Sequence, residues 1–258
     1  MAGPLVGSKP TTHMKKALIT GANKSIGFET ARQLLRQGYY VFLGSRSLAN
    51  GQAAADQLRA EGLTAVEVVE LDVTSDASVG AARAAVGAKT PTLDLLINNA
   101  GISGGLPQLA TSVPIDTFRA VFDTNLFGVV RVTQAFIDLL QASPEPRIVN
   151  VSSSMGSLTL HSDPTFRFYN HKGAVYLPSK SALNMYTINL AYELRDTPLK
   201  VNAVDPGYID TDFNDHRGTG TVDEAARRII RYARIGPDGP TGRFFSEEYN
   251  PATGEIPW

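Results

Sequence analysis

From Lys15 onward, short apolar runs alternate with amphipathic helical patterns along the chain. The apolar runs are, in order, KKALIT, YYVFLGS, TAVEVVELD, LDLLINNAG, RIVNVSS, LKVNAVDPG and GRFFSE. Strands that alternate with helices are typical of βαβ units, in which parallel strands are covered on both faces. The pattern therefore predicts an α/β fold, a single doubly wound domain with a seven-stranded parallel sheet and helices on both faces.

Length and composition fit one domain. The chain has 258 residues, 43% of them hydrophobic, which is enough for one large core. We find no internal repeat, and no linker rich enough in Gly, Pro or Ser to divide residues 14–258. Residues 1–13 lack periodicity and are interpreted as a flexible N-terminal tail.

Composition also argues against several classes of function. The absence of cysteine excludes disulfides, thiolate zinc sites and a cysteine nucleophile. The four histidines are scattered along the chain, so we predict no metal site. A formal charge of −1 without a basic run argues against a nucleic-acid partner, and no apolar stretch approaches the roughly 18 residues of a membrane span. We therefore expect a cytoplasmic protein with neither kind of partner.

A glycine-containing turn joins the first predicted strand to the first predicted helix. It reads TGANKSIG, from Thr20 to Gly27. Glycines let the backbone approach a phosphate, while the N-terminus of the following helix presents free N–H groups. Asn23 precedes Lys24 where the P-loop motif has glycine, so we favour a Rossmann-type dinucleotide site over a P-loop. The predicted cofactor residues of this turn are Gly21, Asn23, Lys24, Ser25, Ile26 and Gly27.

The ends of the next two predicted strands bear on which dinucleotide is bound. A site for NAD has a ribose-binding acid about 20 residues after the first glycine. Here FLGSRS places Ser45 and Arg46 near that position, and with Lys24 they can contact a 2′-phosphate, which favours NADP(H). An ordinary solvated arginine is the alternative for Arg46. Asp72, followed by Val73, is a candidate for binding the adenine amino group or for capping the next helix.

The stretch YLPSK places a phenol and an ammonium four residues apart, at Tyr176 and Lys180. Residues at i and i+4 share one helix face, and Pro178 is tolerated only in the first turn of a helix. We therefore predict that a helix begins near Tyr176 and that both side chains project from its start. In isolation, such a pair is more often an ordinary surface pair at a helix end.

Six short motifs follow one another along residues 15–245. They are TGANKSIG, NNAG (98–101), TNLFG around Asn125, VNVSS (149–153), YLPSK and DPGYIDT (205–211). With these motifs in this order, the chain resembles the short-chain dehydrogenase/reductase superfamily. Within that superfamily it is similar to the NADPH-dependent carbonyl reductases, through the ANK of the glycine turn and the terminal GRFFSEE.

The resemblance implies a catalytic set of Asn125, Ser153, Tyr176 and Lys180. Tyr176 is then the general acid for a carbonyl oxygen, while Lys180 binds the nicotinamide ribose and lowers the pKa of the phenol, ordinarily about 10. Ser153 orients the carbonyl, with the two adjacent serines as alternatives, and Asn125 links Lys180 to a proton relay. Further cofactor contacts are implied for Asn99, Ala100, Gly101, Pro206, Gly207, Ile209 and Thr211.

The chain departs from the family pattern at two places. Ser25 replaces the usual middle glycine, where a positive φ would cost of order 1 kcal/mol. The spacing between Ser153 and Tyr176 exceeds the common one, so an insertion precedes the catalytic helix. We expect its aromatic residues to close over the substrate side of the ligand crevice, because an exposed aromatic patch is a liability. These residues are Phe166, Phe168 and Tyr169.

These observations predict an NADPH-dependent oxidoreductase that reduces a ketone or aldehyde on a small or medium organic molecule to an alcohol. An NAD-linked alcohol dehydrogenase of the same fold is an alternative, against which Arg46 argues. A non-catalytic dinucleotide-binding sensor is a third hypothesis, against which the retained Ser, Tyr and Lys positions argue. The resemblance also implies a homodimer or homotetramer, formed through the helices that contain Asn125 and Tyr176.

Overall fold

Seven parallel strands form the centre of the molecule, as the alternation predicted. The computed structural model describes residues 14–258, and the predicted tail at residues 1–13 lies outside them. The strands are Lys16–Ile19 (β1), Tyr40–Ser45 (β2), Val66–Glu70 (β3), Leu95–Asn98 (β4), Arg147–Val151 (β5), Lys200–Val204 (β6) and Phe244–Phe245 (β7). Their order in the sheet is β3-β2-β1-β4-β5-β6-β7, and each neighbouring pair is parallel.

Helices cover both faces of this sheet. They are Ser25–Arg36 (α1), Leu48–Ala60 (α2), Asp76–Lys89 (α3), Ile115–Phe122 (α4), Gly128–Gln141 (α5), Leu158–Ser162 (α6), Tyr176–Glu193 (α7) and Val222–Ala233 (α8). One buried cluster packs α1, α2 and α8 on one face, and a second packs α3, α5 and α7 on the other. The predicted doubly wound Rossmann-type arrangement is therefore confirmed. Within residues 14–258, no helix combines the length and apolarity needed to cross a membrane.

Two elements are not apparent from the sequence pattern. The pattern of residues 115–140 is that of one continuous helix, but a π-helical turn, Asp123–Phe127, interrupts it between α4 and α5. The segment 155–175 has no clear periodicity, yet it contains α6, which begins where the hydroxyl of Ser157 accepts a hydrogen bond from the N–H of Leu160. π-helical turns are frequent at functional sites, and this one contains the TNLFG motif.

The insertion before α7 is anchored to the last strand and to the C-terminal segment. Phe166 is 4% exposed and belongs to a third buried cluster with Leu160, Phe244 and Ile256. The hydroxyl of Ser157 donates a 2.8 Å hydrogen bond to the carbonyl of Pro257. The expectation that Phe166 closes over the substrate crevice is therefore wrong for this residue, because its ring is needed in a local core.

Replacing Phe166 by alanine should lower the free energy of unfolding by about 3–5 kcal/mol, because the substitution leaves a cavity in this cluster. Urea denaturation followed by circular dichroism measures the effect. Phe213→Ala is the matched control, since Phe213 is exposed and its truncation should change stability little. Equal stability of the two variants would contradict the buried role of Phe166.

Candidate active site

The predicted site residues meet at one edge of the sheet. The glycine turn follows β1, NNAG follows β4, VNVSS ends β5 and DPGYIDT follows β6. The carboxyl ends of parallel strands lie at the same edge, and the strand order reverses between β1 and β4. In doubly wound sheets, ligands bind in the crevice at this reversal. The motifs therefore surround the crevice in which folds of this type bind their ligands.

The glycine turn packs closely against the NNAG segment and is hydrogen-bonded to it. The hydroxyl of Thr20 accepts hydrogen bonds from the N–H groups of Asn99 and Ala100, both 2.9 Å. Gly21 has a φ of +62°, and a Cβ added there would lie 3.1 Å from the Cα of Ala100. At Gly27 a Cβ would lie 2.5 Å from the Asn99 amide nitrogen, so a larger residue would force the two segments apart. Glycine is thus required at both positions by close packing.

Ser25 adopts the strained conformation that its position predicted, with a φ of 56°. It is the first residue of α1, and the Lys24 side chain at the N-cap makes no capping hydrogen bond. The first N–H groups of α1 therefore have no side-chain cap, and an anion is the group that a helix N-terminus favours. Asn23 lies within the same turn, and Ile26 packs against the core beneath it.

Lys24 forms an ion pair across the crevice. Its ammonium lies 2.7 Å from a carboxylate oxygen of Asp212, in the loop after β6, and both side chains are exposed. Because Lys24 is held by Asp212 here, a contact with a cofactor phosphate requires the pair to open or to be shared. That contact stays a prediction.

The residues at the end of β2 have different roles. Ser45 is 1% exposed, and its hydroxyl donates a 2.8 Å hydrogen bond to the carbonyl of Ser47. Because the side chain is buried and its proton is donated to Ser47, its contact with a 2′-phosphate stays a prediction. Arg46, the next residue, is exposed at the crevice edge. Arg46 therefore remains the candidate for contacting that phosphate.

Asp72 lies beside Arg46 at the end of β3. Burial by itself raises the pKa of the Asp72 carboxyl, but hydrogen bonds from Thr74 and the charge of Arg46 outweigh it and hold this pKa below its ordinary value. Ser75 caps α3, so the capping alternative for Asp72 is wrong. The adenine contact stays a prediction, and the side chain of the adjacent Val73 is buried.

Helix α7 begins at Tyr176 with Pro178 in its first turn, as predicted. The Nζ atom of Lys180 lies 5.8 Å from the centre of the Tyr176 ring and donates a 2.8 Å hydrogen bond to the carbonyl of Val151. Lys180 is 5% exposed, and burial lowers the pKa of its amine to about 8, although the nearby carboxyl of Asp205 acts in the opposite direction. The predicted pairing of phenol and amine is confirmed.

The pKa of Tyr176 is shifted upward. Burial raises it most, the charge of Asp205 raises it further, and a hydrogen bond with Ser153 partly opposes both effects. The expectation of a lowered pKa is therefore wrong for the described structure, because burial and the charge of Asp205 shift it upward. The phenol stays protonated at neutral pH, which is the form able to donate a proton.

The three consecutive serines after β5 are separated by their surroundings. Ser152 is buried and donates a 2.6 Å hydrogen bond to the side-chain oxygen of Asn184. Ser154 is also buried and hydrogen-bonds to Asp205. Ser153 is the more exposed of the three and hydrogen-bonds to Tyr176. These surroundings support Ser153 as the residue that contacts a substrate carbonyl.

Asn125 is fully buried inside the π-helical turn. Its side-chain oxygen accepts a 2.9 Å hydrogen bond from the N–H of Ile102, and its amide nitrogen donates to the carbonyl of Ile102 and to the hydroxyl of Ser179. These bonds join the loop after β4 to α7. The Asn125 side chain is already engaged in these three hydrogen bonds, so the relay from Lys180 through Asn125 stays a prediction.

Hydrogen bonds with buried and half-buried side chains fix the loop after β6. The carbonyl of Pro206 accepts a 2.7 Å hydrogen bond from Arg228, and Gly207, with a φ of +98°, donates its N–H to the buried carboxyl of Asp205. Asp205 also accepts a 2.6 Å hydrogen bond from the hydroxyl of Ser246. Two further predicted cofactor residues of this loop, Ile209 and Thr211, are buried.

Sequence reasoning missed two residues next to Tyr176. Asp205 directly precedes Pro206 at a strand end, which is the position where a functional carboxyl could have been recognised. Phe213 lies edge-on to the Tyr176 ring with 5.5 Å between ring centres. Phe213 is in a segment without periodicity, so nothing in the sequence indicated this contact.

The comparison with known proteins fits this geometry. The model of the short chain dehydrogenase family matches residues 15–221. The chain belongs to the short-chain dehydrogenase family. It is 36% identical to a short-chain dehydrogenase of Penicillium roqueforti, covering 90% of this chain and 93% of that protein. It is 32% identical to (+)-neomenthol dehydrogenase of Capsicum annuum, covering 92% and 97%.

A solved structure extends the likeness. The NADPH-bound carbonyl reductase from chicken fatty liver matches with a TM-score of 0.81 at 27% identity, covering 95% of this chain and 99% of that one. The resemblance predicted from the six motifs is thus confirmed, and this short-chain dehydrogenase is an oxidoreductase by family.

Proposed function

We propose that the protein is an NADPH-dependent reductase that converts a ketone or aldehyde into an alcohol. The observation that carries this proposal is the arrangement at the crevice of a phenol beside a partly exposed hydroxyl, with a buried amine 5.8 Å from the centre of the phenol ring. These groups belong to Tyr176, Lys180 and Ser153. Together they match the needs of a carbonyl oxygen that gains negative charge and then a proton.

The residues present fit NADP(H). The uncapped start of α1 suits a pyrophosphate, exposed Arg46 suits a 2′-phosphate, and Lys180 suits the ribose hydroxyls. Similar solved structures include the NADPH-bound carbonyl reductase and an ElxO structure with NADP bound. When bound, the cofactor supplies a hydride to the carbonyl carbon.

The chain's own residues then act on the carbonyl oxygen. Ser153 and Tyr176 hold this oxygen through their hydroxyl groups, which lie next to each other in the site. Tyr176 donates its proton as negative charge develops on the oxygen, and burial favours the protonated phenol before that step. The ammonium of Lys180, fixed by the carbonyl of Val151, stabilises the phenolate that remains.

Aromatic side chains near the site support an apolar substrate. Phe213 contacts the Tyr176 ring, and Phe168 lies 6.1 Å from Tyr208, centre to centre, beside the loop after β6. Binding sites of this kind combine apolar walls with a few placed polar groups. Relatives named (+)-neomenthol dehydrogenase and (−)-isopiperitenone reductase are in keeping with a small apolar ketone as substrate.

Association into a homodimer or homotetramer is part of the proposal. Apolar side chains at the start of α5 and along α7 are exposed, which is typical of a surface covered by a partner. These residues are Phe127, Met185 and Tyr192.

The two alternative functions have less support. An NAD-linked alcohol dehydrogenase needs an acid that binds the ribose, and the end of β2 provides Arg46. A non-catalytic sensor has no need for the assembled Ser153, Tyr176 and Lys180.

Arg46→Asp should weaken NADPH binding by about tenfold to over a hundredfold, because a hydrogen bond to a charged group contributes roughly 1.5–3 kcal/mol. NADH binding should change little or improve. Titration of protein fluorescence with each cofactor measures both affinities. Arg46→Gln separates loss of charge from gain of an acid, and Arg227→Gln, at an exposed arginine on α8, is the matched control. Equal catalytic efficiency of the native protein with NADPH and NADH would remove the basis of the cofactor proposal.

A further inference from the structure

Gln108 lies in the loop between β4 and α4 and differs from its neighbours in burial. Residues 104–107 and 109–112 are exposed, whereas Gln108 is 6% exposed. A buried amide is costly unless its donors and acceptor are paired. The partners of this amide therefore indicate what its burial achieves.

The oxygen of the Gln108 side chain caps the catalytic helix. It accepts hydrogen bonds from the N–H groups of Val175, at 3.2 Å, and Tyr176, at 2.9 Å. Val175 is the N-cap residue of α7 and has no polar side-chain atom, so it cannot cap the helix itself. Gln108 provides this cap from a position 68 residues earlier in the chain, and it contacts the backbone of the proton donor directly.

The nitrogen of the same amide holds the loop after β4. It donates hydrogen bonds to the carbonyls of Ser103, at 2.7 Å, and Gly105, at 2.9 Å. The loop begins at Gly101, where an added Cβ would lie 3.7 Å from the Nζ atom of Lys180. The segment fixed by Gln108 therefore borders the site, and one amide joins it to the start of α7.

We propose that Gln108 is a positioning residue that fixes Tyr176 and the loop of residues 101–105 relative to each other. The inference rests on the proposed reductase function, and it assigns a separate effect to the oxygen and to the nitrogen of the side-chain amide. The acceptor oxygen sets the placement of the phenol and therefore kcat. The donor nitrogen sets the shape of the loop and therefore KM for the ketone.

Gln108→Leu removes both the acceptor oxygen and the donor nitrogen of the amide, whereas Gln108→Glu keeps the acceptor and loses the donors. We expect the leucine variant to lose about tenfold to a hundredfold in kcat, since a displacement of about 1 Å has an effect of that order. The glutamate variant should keep a kcat near that of the native protein while its KM for the ketone rises. NADPH affinity should be unchanged in both. Gln57→Leu and Gln57→Glu, at an exposed glutamine of α2, are matched controls.

Amide hydrogen exchange followed by NMR provides a readout that does not need turnover. Protection of the Val175 and Tyr176 amides should fall by about threefold to tenfold in the leucine variant, the loss expected for one hydrogen bond, and persist in the glutamate variant. Unchanged protection, or a native kcat in folded Gln108→Leu, would overturn the inference. If the native protein reduced no ketone, the reductase proposal would fail, and the exchange data alone would decide whether Gln108 fixes the start of α7. A leucine variant that does not fold leaves the decision to the glutamate variant, where a joint fall in kcat and protection would reject the assignment.

Discussion

Replacing Tyr176 by phenylalanine should lower kcat for ketone reduction by roughly 10²–10⁴-fold, the range that general acid catalysis contributes. The substitution removes the proton donor but keeps the ring and its edge contact with Phe213. NADPH affinity should therefore stay close to that of the native protein. Loss of NADPH absorbance measures turnover, and fluorescence titration measures binding.

Tyr192→Phe is the matched control for this experiment. Tyr192 lies on the same helix, is 68% exposed and is distant from the start of α7, so its variant should keep native kinetics. Substantial ketone reduction by Tyr176→Phe, with its fold verified by circular dichroism, would refute the role of Tyr176 as proton donor.

Lys180→Met should damage both cofactor binding and turnover. A hydrogen bond from a charged group contributes roughly 1.5–3 kcal/mol, so loss of the ammonium should weaken NADPH binding by about tenfold to over a hundredfold. Turnover should fall as well, because no cation remains beside the phenolate. In the native protein the ammonium is present below a pH of about 8 and is lost above it, since burial lowers the pKa of Lys180 to about 8. Its NADPH affinity should therefore decline as the pH rises through about 8.

The methionine variant should not show this decline, which distinguishes loss of the ammonium from a general weakening of the site. Stability is expected to change modestly, because removing a buried charge is favourable while the carbonyl of Val151 loses its donor. Lys89→Met, at an exposed lysine of α3, is the matched control. NADPH affinity that is equal in the native and Lys180→Met proteins across this pH range would contradict the assignment.

The architecture could be predicted because its determinants are local. Buried parallel strands such as Leu95–Asn98 are continuous apolar runs, and the helices between them carry amphipathic patterns. The π-helical turn at Asp123–Phe127 could not be predicted, since the apolar pattern continues through it without a break.

The site was predicted less completely because its chemistry depends on contacts between distant segments. The pairing of Tyr176 with Lys180 follows from helix geometry, whereas the direction of the Tyr176 pKa depends on burial and on Asp205, neither of which the motif reveals. Ser45 was predicted to contact the cofactor because it ends a strand, but that position does not reveal that its hydroxyl donates to the carbonyl of Ser47. Gln108 stands in a loop without periodicity, so its contact with Tyr176 had no sequence signal.

The anchoring of the insertion by the C-terminal segment bears on how the protein is made. Ser157 and its partner Pro257 are separated by 100 positions, and a ribosome adds about 5–20 residues per second, so α6 waits about 5–20 s for that partner to be synthesised. Strands β1, β2 and β3 are complete by Glu70, long before this. During translation, the three strands on the side of the proposed cofactor site are therefore synthesised well before the substrate side acquires its support. A ribosome that stalls before β7 would leave a nascent chain that contains β1 to β6 and an unanchored insertion.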